Sequence, residues 1–356
     1  MNPAMTIVAR SRQLADWPQY PLEHLTELIL EHAGSFDVRL ETDPLRTWLT
    51  DGATALFRAV DAAIQHILAP GRPYQPLYQA FNFASVPPIG CFLYTALFGT
   101  LRQTLKQFQC SNPTWMRSSQ NAADLVSLSE SDLSTGFASE VLRLAQMPGI
   151  ASRPKPYQPR IAHGNSCDIH VADRSVDTVL TSPPYCTRID YAVATRPELA
   201  LMGCSPNEFR TLRLKLMGSP TVPSVLPEVA QSWGRRCTAF LRLVEQHSSK
   251  ASKSYYLKTY LSYFANLRIS INEISRVLKP GGHAAVVLQD SYYKDIHTDL
   301  PSIFCEMSST AGLSCLERRD FVVARTMRSI NARAKKYREG SNATESVILF
   351  QKVTTK

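Results

Sequence analysis

The 356-residue chain contains 15 glycines but no Gly-x-Gly. That absence removes the usual sign of a glycine-rich cradle for a phosphate or carboxylate group. Eight cysteines are scattered along the chain without a Cys-x-x-Cys pair, and no histidine cluster joins them. This pattern argues against a zinc site and a disulfide framework, so a reduced, cytoplasmic compartment with no bound metal is expected. Long apolar runs are also lacking. The longest, Ile89 to Phe98, is too short to cross a bilayer and reads as a buried helix. Met1 to Arg12 has no apolar core of the kind an export signal needs, so neither export nor a membrane partner is expected.

What the chain does have is an apolar content of 44%, enough for a sizeable core in two domains or one large one. Its net charge is +9, placed unevenly. From Phe321 to Lys356 eight Lys and Arg residues stand against two acids. Arg325, Arg328, Arg333, Lys335, Lys336 and Arg338 would lie in a basic loop between two strands, a solvated loop or one that meets a polyanion through phosphate contacts. Lys250, Lys253 and Lys258 form a second basic stretch interleaved with Ser, Tyr255 and Tyr256.

The proline-rich stretch Arg153 to Pro159 divides the chain near residue 155. Residues 1–155 read as mainly helical, with helical spacing over Leu22–His32, Ala53–Leu68 and Pro88–Phe108. Trp115 beside Arg117 is either a buried turn tryptophan or a nucleic-acid contact. Residues 118–135, rich in Ser, Asp and Asn, read as a surface loop. Residues 156–356 read as a second domain in which about 192–253 are an insertion.

The most informative segment is Val176 to Tyr185. Val176-Asp177-Thr178-Val179-Leu180 is β-branched and apolar and predicts a strand. Thr181-Ser182-Pro183-Pro184-Tyr185 then ends it, because two prolines stop a ladder and fix φ. In an open α/β sheet the C-terminal strand edge is where ligands bind. As a bare tetrapeptide, Ser182 to Tyr185 is also simply a proline-rich turn.

The segment resembles motif IV of the S-adenosylmethionine-dependent amino-methyltransferases, which methylate N4 of cytosine or N6 of adenine in DNA. The resemblance implies a catalytic set of Ser182, Pro183, Pro184 and Tyr185, with Thr181 beside the cofactor and Arg188 among the DNA contacts. The Ser182 hydroxyl and Pro183 carbonyl would accept from the target amine, and Tyr185 would stack on a base rotated out of the duplex. A Ser in the first position leans toward N4 of cytosine. Cys186 reads as a small packed residue, since this chemistry needs no covalent intermediate.

A second likeness follows. Val277-Leu278-Lys279-Pro280-Gly281-Gly282 and His283 to Leu288 are similar to the junction that leads into the fifth strand of class I methyltransferases. The preceding helix carries an apolar face through Leu257, Tyr260, Leu261, Phe264, Leu267, Ile271, Ile274 and Leu278. Asp320–Ala324 and Glu345–Phe350 would be the sixth and seventh strands. Ile161 to Asp168 would hold a third strand, with Asn165 or Asp168 near the cofactor's adenine, or would be a polar strand end without a ligand. The expected fold class is therefore α/β, a class I (Rossmann-like) methyltransferase core with a mainly helical N-terminal region.

The missing Gly-x-Gly departs from that family. Three readings stay open: a split enzyme in which a second protein subunit supplies the glycine-rich motif, a diverged cofactor loop, or a non-catalytic DNA-binding or scaffold subunit that keeps the fold. The implied partner is double-stranded DNA, in restriction–modification or phage defence. After the turn, Arg188, Asp190 and Tyr191 would line the base pocket, or Arg188, Asp190 and Arg196 would form ordinary ion pairs.

Overall fold

The computed structural model describes residues 2–13, 21–110, 115–147, 159–186, 189–222, 224–323 and 343–354, with residues 80 and 81 described by their backbone alone. These residues form two units, Met1–His163 with Tyr191–Leu212, and Gly164–Asp190 with Arg213–Lys356. Among them no helix is long and apolar enough to cross a membrane. Helices and a mixed sheet together make the chain α/β.

The first unit holds α1 (Pro3–Ser11), α2 (Leu22–Ala33), α3 (Asp51–Leu68), α4 (Pro88–Thr104), α5 (Glu130–Ala145), α6 (Tyr191–Ala194), α7 (Arg196–Leu201) and most of α8 (Pro206–Lys215). Thr50 starts α3 by accepting the Ala53 amide, and its apolar spacing then buries Phe57, Val60 and Ile64. Helix α5 begins inside the stretch expected to be loop, because the Ser129 side chain accepts the Asp132 amide and caps it. Trp115 is 50% exposed rather than a buried turn residue.

A buried ionic cluster organises this unit. The Arg58 guanidinium is fully buried, paired with Asp43 at 2.7 Å and Asp61 at 3.3 Å. It also donates to the carbonyls of Ala200 and Leu201, which anchors α7. Asp61 accepts from the hydroxyls of Tyr74 and Tyr94 at 2.7 and 2.6 Å. Nearly every lone pair and N–H in the cluster is thereby answered, which is the condition for burying charge.

The second unit is built on a four-stranded sheet. Its strands are β1 (Val176–Thr181), β2 (Leu278–Gln289), β5 (Leu313–Val323) and β6 (Ala343–Lys352), in the order β1-β2-β6-β5. A small hairpin of β3 (Ser291–Tyr293) and β4 (Ile296–Thr298) stands apart from it. Strands β1 and β2 are parallel, joined through α9 (Gly234–Gln246) and α10 (Leu257–Val277). After α11 (Leu300–Ser309), β5 and β6 return antiparallel.

At the foot of β2 the turn predicted from Pro280-Gly281-Gly282 is present. Gly281 has φ +77°, and a Cβ on Gly282 would lie 3.0 Å from the Asp177 carbonyl. Glycine at 282 therefore lets β2 close on β1.

One sheet face is fully buried. Ala284, Val286, Leu288, Ile348 and Phe350 share a core with Phe264, Leu267 and Ile271 of α10 and with Ile303, Phe304 and Met307 of α11. The pairing registers put Leu180, Ala285, Val287, Val347, Leu349 and Phe321 on the opposite face. Every one of those six is partly or largely exposed.

The strand expected within Ile161–Asp168 is absent. Asn165 and Asp168 close a tight turn instead, the Asp168 amide donating to the Asn165 carbonyl at 3.0 Å. Polar ties to α10 win over ladder pairing here. Ser270 Oγ donates to Ser166, the Ile169 amide donates to Glu273 at 2.7 Å, and Arg276 reaches the carbonyls of Ile169 and Val171.

Candidate active site

Ser182 to Tyr185 follow directly on β1, whose last residue, Thr181, pairs with Val286 of β2. The turn is held from two sides. The Tyr263 hydroxyl, on α10, donates to the Pro184 carbonyl at 2.7 Å. The Tyr185 hydroxyl reaches across the end of β2 and donates to Glu345 of β6 at 3.3 Å. Glu345 stands opposite Gln289 in the ladder, so Tyr185 bridges β1's end to the third strand of the sheet.

The Ser182 side chain is exposed and also bonds the Tyr185 hydroxyl. Because that phenol gives its proton to Glu345, its oxygen accepts from Ser182. The Ser182 oxygen is then left with acceptor capacity toward solvent. Burial raises the Tyr185 pKa; the Ser182 bond opposes this and the Glu345 charge adds to it. The phenol therefore stays neutral at ordinary pH.

The next residues lock the turn into the unit. Cys186 is 4% exposed, packed in the core, and its carbonyl accepts from Ser291 Oγ at 3.1 Å. Asp190 is buried and pairs with Arg213 at 2.7 Å, so its carboxylate serves a structural ion pair. Just past β2, Asp290 accepts the Thr344 amide at 2.8 Å and meets His297 at 2.9 Å. Together these bonds make the strand ends around the turn a continuous polar rim.

Asn165 and Asp168 sit elsewhere. Their turn lies against α10 at Asn266, Ser270 and Glu273, with Cys167 donating to the Asn266 carbonyl. Ser270 is seven residues beyond Tyr263, about 10 Å along the helix. The structure thus brings Thr181, Ser182, Pro183, Pro184 and Tyr185 together but not Asn165 and Asp168 with them. Arg188 lies outside the described residues, as do Arg328, Arg333, Lys335, Lys336 and Arg338. Lys250, Lys253 and Lys258 are exposed. Arg196, in the first unit, stacks over Trp48 at 5.3 Å and donates to Ser118. Among the described residues no cluster of His, Cys, Asp and Glu could hold a metal ion.

Sequence reasoning missed Tyr263 and Glu345. Tyr263 was hidden in a helix read for its apolar face, and nothing in the local sequence marks one tyrosine there as a donor to a turn 79 residues away. Glu345 was read as one end of a strand.

This geometry, an α/β unit with a polar-Pro-Pro-aromatic turn closing a parallel strand, matches what comparison with known proteins finds. No family model matches the chain. It is similar to the Type II methyltransferase M.AvaI of Nostoc sp. (strain PCC 7120 / SAG 25.82 / UTEX 2576), at 26% identity over 149 residues. The M.AvaI of Anabaena variabilis gives the same identity over the same length. The match takes in 39% of this chain and 31% of each relative. The chain thus spans about a third of the length of the curated relatives it matches.

Proposed function

We propose that the chain carries the target-base site of a DNA methyltransferase. The reaction would move a methyl group from S-adenosylmethionine to an exocyclic amine, N4 of cytosine in preference to N6 of adenine. Restriction–modification or phage self-marking would be its setting, and double-stranded DNA its partner. The observation that carries this reading is the Ser182–Tyr185 turn, fixed by Tyr263 and Glu345 at the C-terminal end of a parallel strand. The distant likeness to two Type II methyltransferases supports it.

The chemistry fits these residue types. An exocyclic amine is a weak nucleophile because its lone pair is delocalised into the ring. Acceptors facing the NH₂ group localise that pair and favour a tetrahedral nitrogen. The Ser182 oxygen, with its own proton directed at Tyr185, and the Pro183 carbonyl are those acceptors. The Tyr185 ring supplies the stacking surface for a flipped base. Basic residues Arg188, Arg328, Arg333, Lys335, Lys336 and Arg338 would contact phosphates.

On the cofactor side the described residues do not complete a site. S-adenosylmethionine would supply the methyl group, with Thr181 beside it and Asn165 or Asp168 at its adenine. Yet β1 has a neighbour on one side only, and the chain has no Gly-x-Gly turn to present there. A class I (Rossmann-like) core would require both.

The test is methyl transfer from labelled S-adenosylmethionine to unmodified genomic DNA, followed by nucleoside digestion. Label in N4-methylcytosine is expected, lost in Ser182→Ala and in Tyr185→Ala while both variants stay folded. Undiminished transfer by both variants sinks the assignment. The absent Gly-x-Gly favours one other reading, a non-catalytic DNA-binding or scaffold subunit. In that case neither substitution changes DNA affinity or the activity of an associated enzyme.

A further inference from the structure

Strand β1, which leads into the Ser182–Tyr185 turn, is an edge strand. Its Leu180 side chain is 79% exposed, although it is an apolar residue in the middle of the site-bearing element. The exposure continues across the sheet. Leu180 is in register with Ala285, Ala285 with Leu349, Val287 with Val347, and next to them stands Phe321. Val347 is 36% and Phe321 52% exposed, whereas their counterparts on the other face are fully buried. Parallel strand pairs belong to sheets covered on both faces. An apolar edge strand is also a ready template for another strand.

We infer that the outer edge of β1 and the adjoining sheet face are a docking surface for a polypeptide outside these 356 residues, one that adds a strand parallel to β1 and lays an apolar helix over Leu180, Val287 and Val347. Three independent features select this occupant. The unpaired edge accepts only an extended backbone. The bare face spans all four strands of the sheet, so what covers it is a layer and not a single side chain. The sequence has no Gly-x-Gly, so the cofactor cradle must arrive with the incoming strand. The direction follows from that requirement. Only a strand parallel to β1 brings the glycine turn at its own C-terminal end beside Ser182. A second copy of this chain cannot supply that turn, because it has none either. The inference rests on the function proposed above and names the partner surface which that function lacks.

The test uses the tagged full chain to retain proteins from a lysate of its source cells. The retained protein is sequenced, produced separately and mixed back, with hydrogen exchange read on the complex. In the chain alone, amides of Thr178 to Thr181 should exchange rapidly. The expected partner carries a strand followed by Gly-x-Gly, and its binding protects residues 178–181 and 345–349. Leu180→Arg, at an exposed position that should not disturb folding, should weaken binding at least about tenfold. Val347→Arg is the second variant.

Any of four results overturns the inference: no such protein retained, protection confined to other segments, unchanged affinity in both variants, or a homodimer of this chain occupying β1. So does tight binding of S-adenosylmethionine by the chain alone. Methyl transfer is not among the readouts. A complex that forms through β1 yet methylates no DNA leaves the docking intact and removes the proposed activity. A chain that methylates DNA by itself does the reverse.

Discussion

The Tyr263 hydroxyl and the Pro184 carbonyl, 2.7 Å apart, join the first half of α10 to the turn that ends β1. One helix therefore both fills the core beneath the sheet and sets the position of the turn. Pro184 has no N–H of its own to anchor it, so its carbonyl is the backbone handle available there. Tyr263→Phe keeps the ring and removes this single donor. Stability should fall by about 1 kcal/mol, read by thermal or urea denaturation. Methyl transfer, assayed with any partner it needs, should fall at least about tenfold in kcat with KM for DNA little changed. That split separates a positioning role from general destabilisation. An unchanged kcat would show that the turn holds itself.

Glu345 is expected to direct the protons at the turn. The Tyr185 phenol gives its proton to Glu345, so Ser182 gives its own to the phenol and faces outward as an acceptor. Replacing Glu345 by Gln removes a negative charge that raises the Tyr185 pKa. The phenol should then titrate lower, toward its ordinary value of about 10. A raised folded-state value means this contribution to stability is complete below the unfolded pKa and is lost as the pH climbs through the folded one. Ultraviolet titration of Glu345→Gln against the parent, with Tyr185→Phe as the blank, checks it. A titration that does not move would remove Glu345 from the site.

In the first unit, the buried Arg58 cluster predicts a different kind of sensitivity. Arg58→Ala leaves Asp43 and Asp61 buried without their counter-charge and frees the carbonyls of Ala200 and Leu201. A loss of about 3–5 kcal/mol is expected, enough to unfold this unit near room temperature. Circular dichroism melting is the direct measurement. A loss below about 1 kcal/mol would mean that water enters and replaces the guanidinium.

Local chemistry explains what could be read from the sequence. The β-branched run before Ser182, the proline pair and the Gly281 turn declare themselves within a few residues, and each is found in place. Helices α2, α3, α4 and α10 follow their apolar spacing to within a few residues at the ends. Helix α5 was missed because its Ser- and Asp-rich opening looks like loop until Ser129 is recognised as a cap. The segment at Asn165 misled for a related reason. Its polar side chains bond α10 at Asn266, Ser270 and Glu273, and sequence spacing does not reveal partners about a hundred residues away. The same limit hid Tyr263 and Glu345.

The Asn165 segment also makes a prediction about acid. Arg276 holds Glu273 at 2.8 Å, and the Ile169 amide adds a second bond to the same carboxylate. The Arg276 bond is the main cause that depresses the Glu273 pKa, to about 2. The sign follows directly: a lowered folded-state value stabilises above the unfolded pKa and is lost as pH falls through the folded one. Stability should decline between about pH 5 and pH 2 by about 1 kcal/mol from this group, allowing for solvent screening. Glu273→Gln should remove that share of the slope. Hydrogen exchange at Ile169 across the same range would show whether the strap loosens with it.

Arg333, Lys335 and Lys336 give the last prediction, which concerns charge alone. Three cations within four residues would displace up to three condensed counterions from duplex DNA, each contributing about 0.9 to the slope of log affinity against log salt. Replacing all three by Gln should lower that slope by about 2 to 3 units. Affinity should fall most at low salt and about equally for every sequence tested, because phosphate contacts carry no base information. Ser182→Ala should leave the slope untouched, which separates the phosphate contacts from the target-base site. Fluorescence anisotropy with one duplex from 50 to 300 mM salt is sufficient. An unchanged slope in the triple variant would move the DNA contact elsewhere, and the exposed Lys250, Lys253 and Lys258 would be the next group to neutralise.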